Sequence, residues 1–168
     1  MPTIALQQVS SKFARENAAR TLHKPIGLRF IAKHLTPAVV EHLEAVCPAG
    51  KLFVWGAKLE RGHQISKVLE RESLVLFRRG PTIYKRGIVV EIAQSQSLAE
   101  SLWGRDSDGE SWPYIFFFAN ITDMNRPAAL TNKGLGRSPR DNWQGLVVLP
   151  IKESEIVRSF FAKELGEL

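Results

Sequence analysis

Apolar and polar positions keep one rhythm up to about residue 50 of this chain and another beyond it. Residues 10–20 are rich in helix formers, with serine placed to cap them. A clearer helix opens at Thr36. Pro37 suits its first position, Val39, Val40, Leu43 and Val46 line one face, and Pro48-Ala49-Gly50 stops it. From Lys51 the period shortens to that of strands. Residues 51–55 are a short apolar run ended by Gly56, residues 58–64 are polar, and residues 65–69 read as one or two helical turns.

Residues 73–78 form a strand, Arg79-Gly80-Pro81-Thr82 marks a turn, and residues 83–92 form a longer strand on which Tyr84, Ile88, Val90 and Ile92 share a face. Gly87 in its middle marks a bulge or sharp bend. Residues 95–103 read as a capped helix and 106–110 as a turn. Residues 112–118, apolar on both faces, read as a central strand. Residues 120–143 show little periodicity and read as one long polar connection, unusual inside a domain and functionally suspect for that reason. A strand at 146–149 and an amphipathic helix at 152–165, using Ile156, Val157, Phe160 and Phe161, complete the pattern. The fold class expected is α+β: a small, strongly bent mixed sheet with flanking helices. Residue 50 is the expected boundary between an N-terminal helical extension (1–50) and the main domain (51–168).

Composition narrows the class. At 168 residues and 44% apolar content the chain can bury a real core. No apolar run approaches a membrane span, and Met1-Pro2-Thr3-Ile4 lacks the pattern of a secretory signal. The single cysteine, Cys47, excludes an internal disulfide and any multi-cysteine zinc site, which fits a cytoplasmic protein. The formal charge of +6 favours phosphate backbones as partners. It is also clustered: Lys12, Arg15, Arg20, Lys24, Arg29 and Lys33 stand against Glu16 alone, and Arg126, Lys133, Arg137 and Arg140 against no acid.

Catalytic constellations are missing from the sequence. There is no glycine-rich phosphate loop ending in Lys-Ser/Thr. The four histidines (His23, His34, His42, His63) lack metal-ligand spacing, and Cys47 has no neighbouring histidine. Asp106, Asp108 and Glu110 alternate along a turn like half of a calcium loop, but Ser111-Trp112 follows where further ligands would be needed. The reading is of a binder with no catalytic residues, no metal and no cofactor.

Trp55 and Trp103 carry the sharper hint. Each lies where a regular element meets a polar loop, in Phe53-Val54-Trp55-Gly56-Ala57 and Leu102-Trp103-Gly104-Arg105-Asp106. Indoles at element ends in a basic chain suit the walls of a slot for a flat ring. Leu52-Phe53-Val54-Trp55-Gly56-Ala57, Ser73-Leu74-Val75-Leu76-Phe77, Gly87-Ile88-Val89-Val90-Glu91, Ala99-Glu100-Ser101-Leu102-Trp103 and Trp112-Pro113-Tyr114-Ile115-Phe116-Phe117 follow one another in the order of a YTH domain. Over roughly residues 51–150 the chain therefore resembles the PUA-like superfamily, in its YTH and EVE branches. It is most similar to the modified-base-reading modules at the N-termini of McrB-type restriction proteins.

That resemblance implies a PUA-like mixed β-barrel and a DNA-binding specificity module of a modification-dependent restriction system. The module would flip a methylated base into an aromatic cage, with nuclease or NTPase activity on a partner. In this chain Trp55 and Trp103 would sandwich the base, and Trp112 or a residue of the 105–110 turn would add a third wall. Beyond what the resemblance carries, the candidates for its edge are the backbone of Gly56 and Ala57, assisted by Lys58 or Asn120. Lys58, Arg78, Arg79, Lys133, Arg137 and Arg140 are the candidates for the nucleic-acid backbone, with Arg86 and Asn142 beside them. The alternatives are an RNA-binding YTH/EVE-type reader of a modified nucleotide and a small-molecule-binding regulatory domain.

Overall fold

The structure is a computed structural model that describes residues 2–165. In chain order run β1 (Ile4–Gln8), α1 (Lys12–Thr21), β2 (Ile26–Gly27), α2 (Leu28–Ala32), α3 (Pro37–Val46), β3 (Lys51–Ala57) and α4 (Leu59–Ile65). Then follow β4 (Leu74–Arg79), β5 (Thr82–Gln94), α5 (Gln96–Trp103), β6 (Tyr114–Pro127), α6 (Ala128–Gly134), β7 (Leu146–Val148) and α7 (Ile151–Leu165). The strands form one seven-stranded sheet in the order β2-β3-β6-β5-β4-β1-β7, antiparallel throughout except between β1 and β4. The α+β class holds. The sheet is not closed: β2 and β7 lie at its two ends and are not paired with each other.

Period-two alternation sorts the core into two faces. On β3, Trp55 and Ala57 face one side and Leu52 and Val54 the other. On β6, Phe116 and Phe118 oppose Ile115 and Phe117 in the same way. The first face is covered by α1, through Ala18 and Leu22, and by α4, through Ile65. The second face carries α2, α3 and α5 at one end, and α6 and α7 over Ile4, Leu6, Leu74 and Leu76 at the other. β6, apolar on both faces over its first five residues, sits between β3 and β5.

Several elements differ from the sequence expectation. β1 is a paired strand between β4 and β7, so strands from both sides of residue 50 share the sheet. The helix expected at 65–69 lies earlier, at α4, inside the stretch taken as polar. It buries only Gly62 and Ile65, so it has almost no apolar period to read. The connection expected at 120–143 is shortened at its start, because β6 runs on to Pro127 and α6 follows. Most of that extension is exposed, and backbone pairing with β5 needs no apolar side chain. The face expected for Tyr84, Ile88, Val90 and Ile92 is broken. Tyr84 and Ile92 pack on the first face, Val90 on the second, and Ile88 is exposed. Register shifts against β6 at Ile83/Lys85, Gly87/Val89 and Val89/Glu91 change the alternation. Gly87 does sit at such a shift, and a Cβ there would come within 2.5 Å of Ile121 Cδ1.

Candidate functional site

A cleft of about 450 Å³ opens where β1 and β3 end, beside the first turns of α1 and α4. That is within the size range of small-ligand sites, roughly 300–1,000 Å³. Trp55, Gly56, Ala57 and Lys58 reach it from the end of β3. Ser11, Phe13 and Asn17 line it from α1 and its cap, and Gln7 and Gln8 from β1. Ser11 fixes the start of α1 by accepting a hydrogen bond from the Ala14 amide at 3.1 Å. This first turn holds Phe13 beside Trp112, with ring centroids 6.2 Å apart and planes tilted by 44°. Trp55 is locked behind them, edge-on to Phe77 at 5.7 Å.

Two polar atoms in this lining are unusual. Trp55 is only 5% exposed, yet its Nε1 is buried with no hydrogen-bond partner among the described residues. Gln8 Oε1 is likewise buried and unpartnered. Buried polar groups are satisfied in the great majority of cases, because leaving one unmet costs about 1–3 kcal/mol. An orphan donor and an orphan acceptor thus belong to two residues that line one cleft.

Trp103 is not across the cleft from Trp55. The two indoles belong to opposite faces of the sheet. Trp103 is buried, and its Nε1 donates to Thr21 Oγ1 at 3.1 Å, while that hydroxyl donates to the Val54 carbonyl at 2.7 Å. Its ring lies over Gly56, where an added Cβ would come within 2.5 Å of it, and meets Trp112 edge-to-face at 6.3 Å. The physical reason is strand alternation: the residue after Trp55 faces the other side, and α5 packs there. Trp103 therefore supports Trp112 from behind. Asn120 is also absent from the cleft and lines a separate groove with Arg86 and Gly87 on the paired strands β5 and β6.

The basic candidates divide by what they already hold. Lys58, at the rim, donates to Glu110 at 2.8 Å and pairs with Asp106 at 2.5 Å. These hydrogen bonds, Asp106 first, raise the lysine's pKa, and the one from Lys58 lowers that of Asp106. Arg78, expected on the nucleic-acid backbone, is buried: it donates to the carbonyls of Gly80 at 2.8 Å and Asp141 at 2.6 Å, and stacks over Trp143. It anchors the loop before β7. Arg137 is half-buried and paired with Glu153 at 3.3 Å. Arg79, Lys133 and Arg140 are exposed. Sequence reasoning missed Phe13, Gln8 and Arg61. The one available signal was Phe13, a lone aromatic in the polar segment 10–20.

No protein-family profile and no curated protein sequence matches this chain. Among solved structures it is similar to the N-terminal domain of Thermococcus gammatolerans McrB bound to m5C DNA, with a TM-score of 0.72. That alignment covers 98% of this chain and 99% of the other at 16% identity. The resemblance read in the sequence is thus present in the fold, and the match spans both sides of residue 50.

Proposed function

We propose that this chain is a DNA-binding specificity module that takes a methylated base out of the duplex and holds it in the cleft at Trp55. It serves a modification-dependent restriction system whose nuclease or NTPase resides on a partner, and it has no catalytic role of its own. We read its architecture as an open variant of the PUA-like, YTH/EVE-type barrel. The observation that carries this reading is the orphan indole N–H of Trp55 in a cleft walled by Phe13 and Trp112. The fold shared with a domain bound to m5C DNA supports it, as does the net charge of +6.

The energetics favour a cage with a polar contact. Extruding a base costs about a few kcal/mol, and stacking on aromatics returns about 1–3 kcal/mol per base. Phosphate contacts add a salt-dependent term. Burying a methyl group adds only about 0.8 kcal/mol, a severalfold preference. Stronger discrimination therefore needs an edge contact, for which Trp55 Nε1 and Gln8 Oε1 are the available donor and acceptor. The test is binding to duplexes identical but for one base, carrying different methylated bases or none, with methylated single-stranded RNA as competitor. One methylated duplex should bind at least severalfold tighter than its unmodified twin. Equal binding of all duplexes, or tighter binding of the RNA, overturns the reading.

A further inference from the structure

Next to the aromatic cleft, across a ridge formed by Lys58 and Arg61, lies a second basin of about 540 Å³. Its walls differ from those of the cleft. Gln64 and Gln96 line it, Gln96 Nε2 donating to Glu100 at 2.6 Å and Gln64 Oε1 accepting a long contact from Arg61, and Ser111, only 4% exposed, carries a buried Oγ with no partner among the described residues. A satisfied surface depression has no reason to keep such a hydroxyl.

The charges around this basin leave a slight acidic excess. Lys58 is neutralised by Asp106 and Glu110, Arg105 is paired with Glu100, and Glu60 also lines the wall. A phosphate would find little net attraction inside. A neutral heterocycle with donors and acceptors on its edge fits the amides and the hydroxyl better. On the ridge itself Arg61 has no carboxylate partner among the described residues and makes only long contacts, to Gln64 Oε1 at 3.5 Å and the Gln144 carbonyl at 3.4 Å. It is the uncompensated cation between two basins.

Resting on the reading of the cleft as a base pocket, we propose that this basin receives the nucleotide adjoining the modified one. Its base edge meets Gln64, Gln96 and Ser111, and the phosphodiester joining the two nucleotides crosses the ridge at Arg61. The module then reads a dinucleotide context as well as a modification. Gln64 and Gln96 are exposed in the free protein, so their truncation leaves the fold intact.

The experiment measures affinity for duplexes that share one modified base but differ in its neighbours, including an abasic neighbour, for the parent, Gln64→Ala, Gln96→Ala, Ser111→Ala and Arg61→Ala. The parent should distinguish neighbours by about tenfold. The glutamine and serine variants should lose that distinction while keeping the preference for modified over unmodified duplex. Arg61→Ala should weaken all duplexes alike and lower the salt dependence. If the parent prefers modified duplex yet binds every neighbour equally, the second basin is not a base site and the cleft reading survives. If the parent shows no preference for modification, the cleft reading fails and this proposal with it.

Discussion

At the scale of single residues, two buried tryptophans with similar sequence surroundings differ at their indole nitrogens. Trp103 Nε1 is bonded to Thr21, whereas Trp55 Nε1 is not bonded within the described chain. Trp103→Phe removes a made hydrogen bond and buried ring volume, so it should lower stability by about 1–3 kcal/mol in chemical denaturation and leave the preference for modified DNA in place. Trp55→Phe removes a donor that the free protein does not use. Both variants lose buried ring volume, but Trp55→Phe loses no made hydrogen bond, so its stability should fall by about 1 kcal/mol less than that of Trp103→Phe, while its preference for modified duplex falls by about tenfold or more. Stability and binding losses that track each other in both variants would contradict this division. Gly56→Ala drives a methyl group into the Trp103 ring, and overpacking of this kind costs about 1–3 kcal/mol, readable as a lowered denaturation midpoint.

At the scale of elements, strands with regular alternation were legible in the sequence, and pieces held by backbone pairing or one small contact were not. β3, β4 and the first part of β6 announce themselves through runs such as Leu74–Arg79, buried in five of six residues. α4 lacks a stripe, and the far end of β6 is polar yet paired, so neither carried a period to detect. The proposed cage was half legible. Trp55 and Trp112 were marked by residue type, but the face each occupies depends on register, and Phe13 comes from a helix with no visible tie to β3. Arg78 shows the same limit, since charge suggested a surface role and tertiary packing gave it another. Arg78→Ala should destabilise the protein by about 1.5–3 kcal/mol and speed proteolysis at residues 135–145. A purely surface phosphate contact would instead leave both unchanged. The rim turn is held by Lys58 and Asp106, whose signs run in opposite directions. The carboxyl's lowered pKa makes its contribution present above the ordinary carboxylate range and lost as acid titrates it. The ammonium's raised pKa makes its contribution full below the ordinary lysine range and lost as pH rises from that range through the raised value. The Gly109 amide resonance should therefore hold steady between these limits, and Asp106→Asn should shift it at neutral pH.

At the scale of the whole molecule, the open seven-stranded sheet places one aromatic cleft and one polar basin side by side on a chain of net charge +6. Binding should weaken linearly in logarithmic salt concentration, with a slope near −0.9 per phosphate neutralised. Replacing Lys133 or Arg140 by glutamine should reduce that slope by about 1 for each residue that touches a phosphate, about equally for modified and unmodified duplex. A change confined to modified duplex would place those side chains at the base. The most direct measurement follows the four indole N–H resonances in a ¹⁵N-labelled sample titrated with modified duplex. The Trp55 signal, assigned through Trp55→Phe, should move far downfield as its orphan donor gains a partner, with Trp143 unmoved, and should stay in place with unmodified duplex. A Trp55 signal that ignores the modified duplex, or answers both duplexes alike, would remove the base from the cleft.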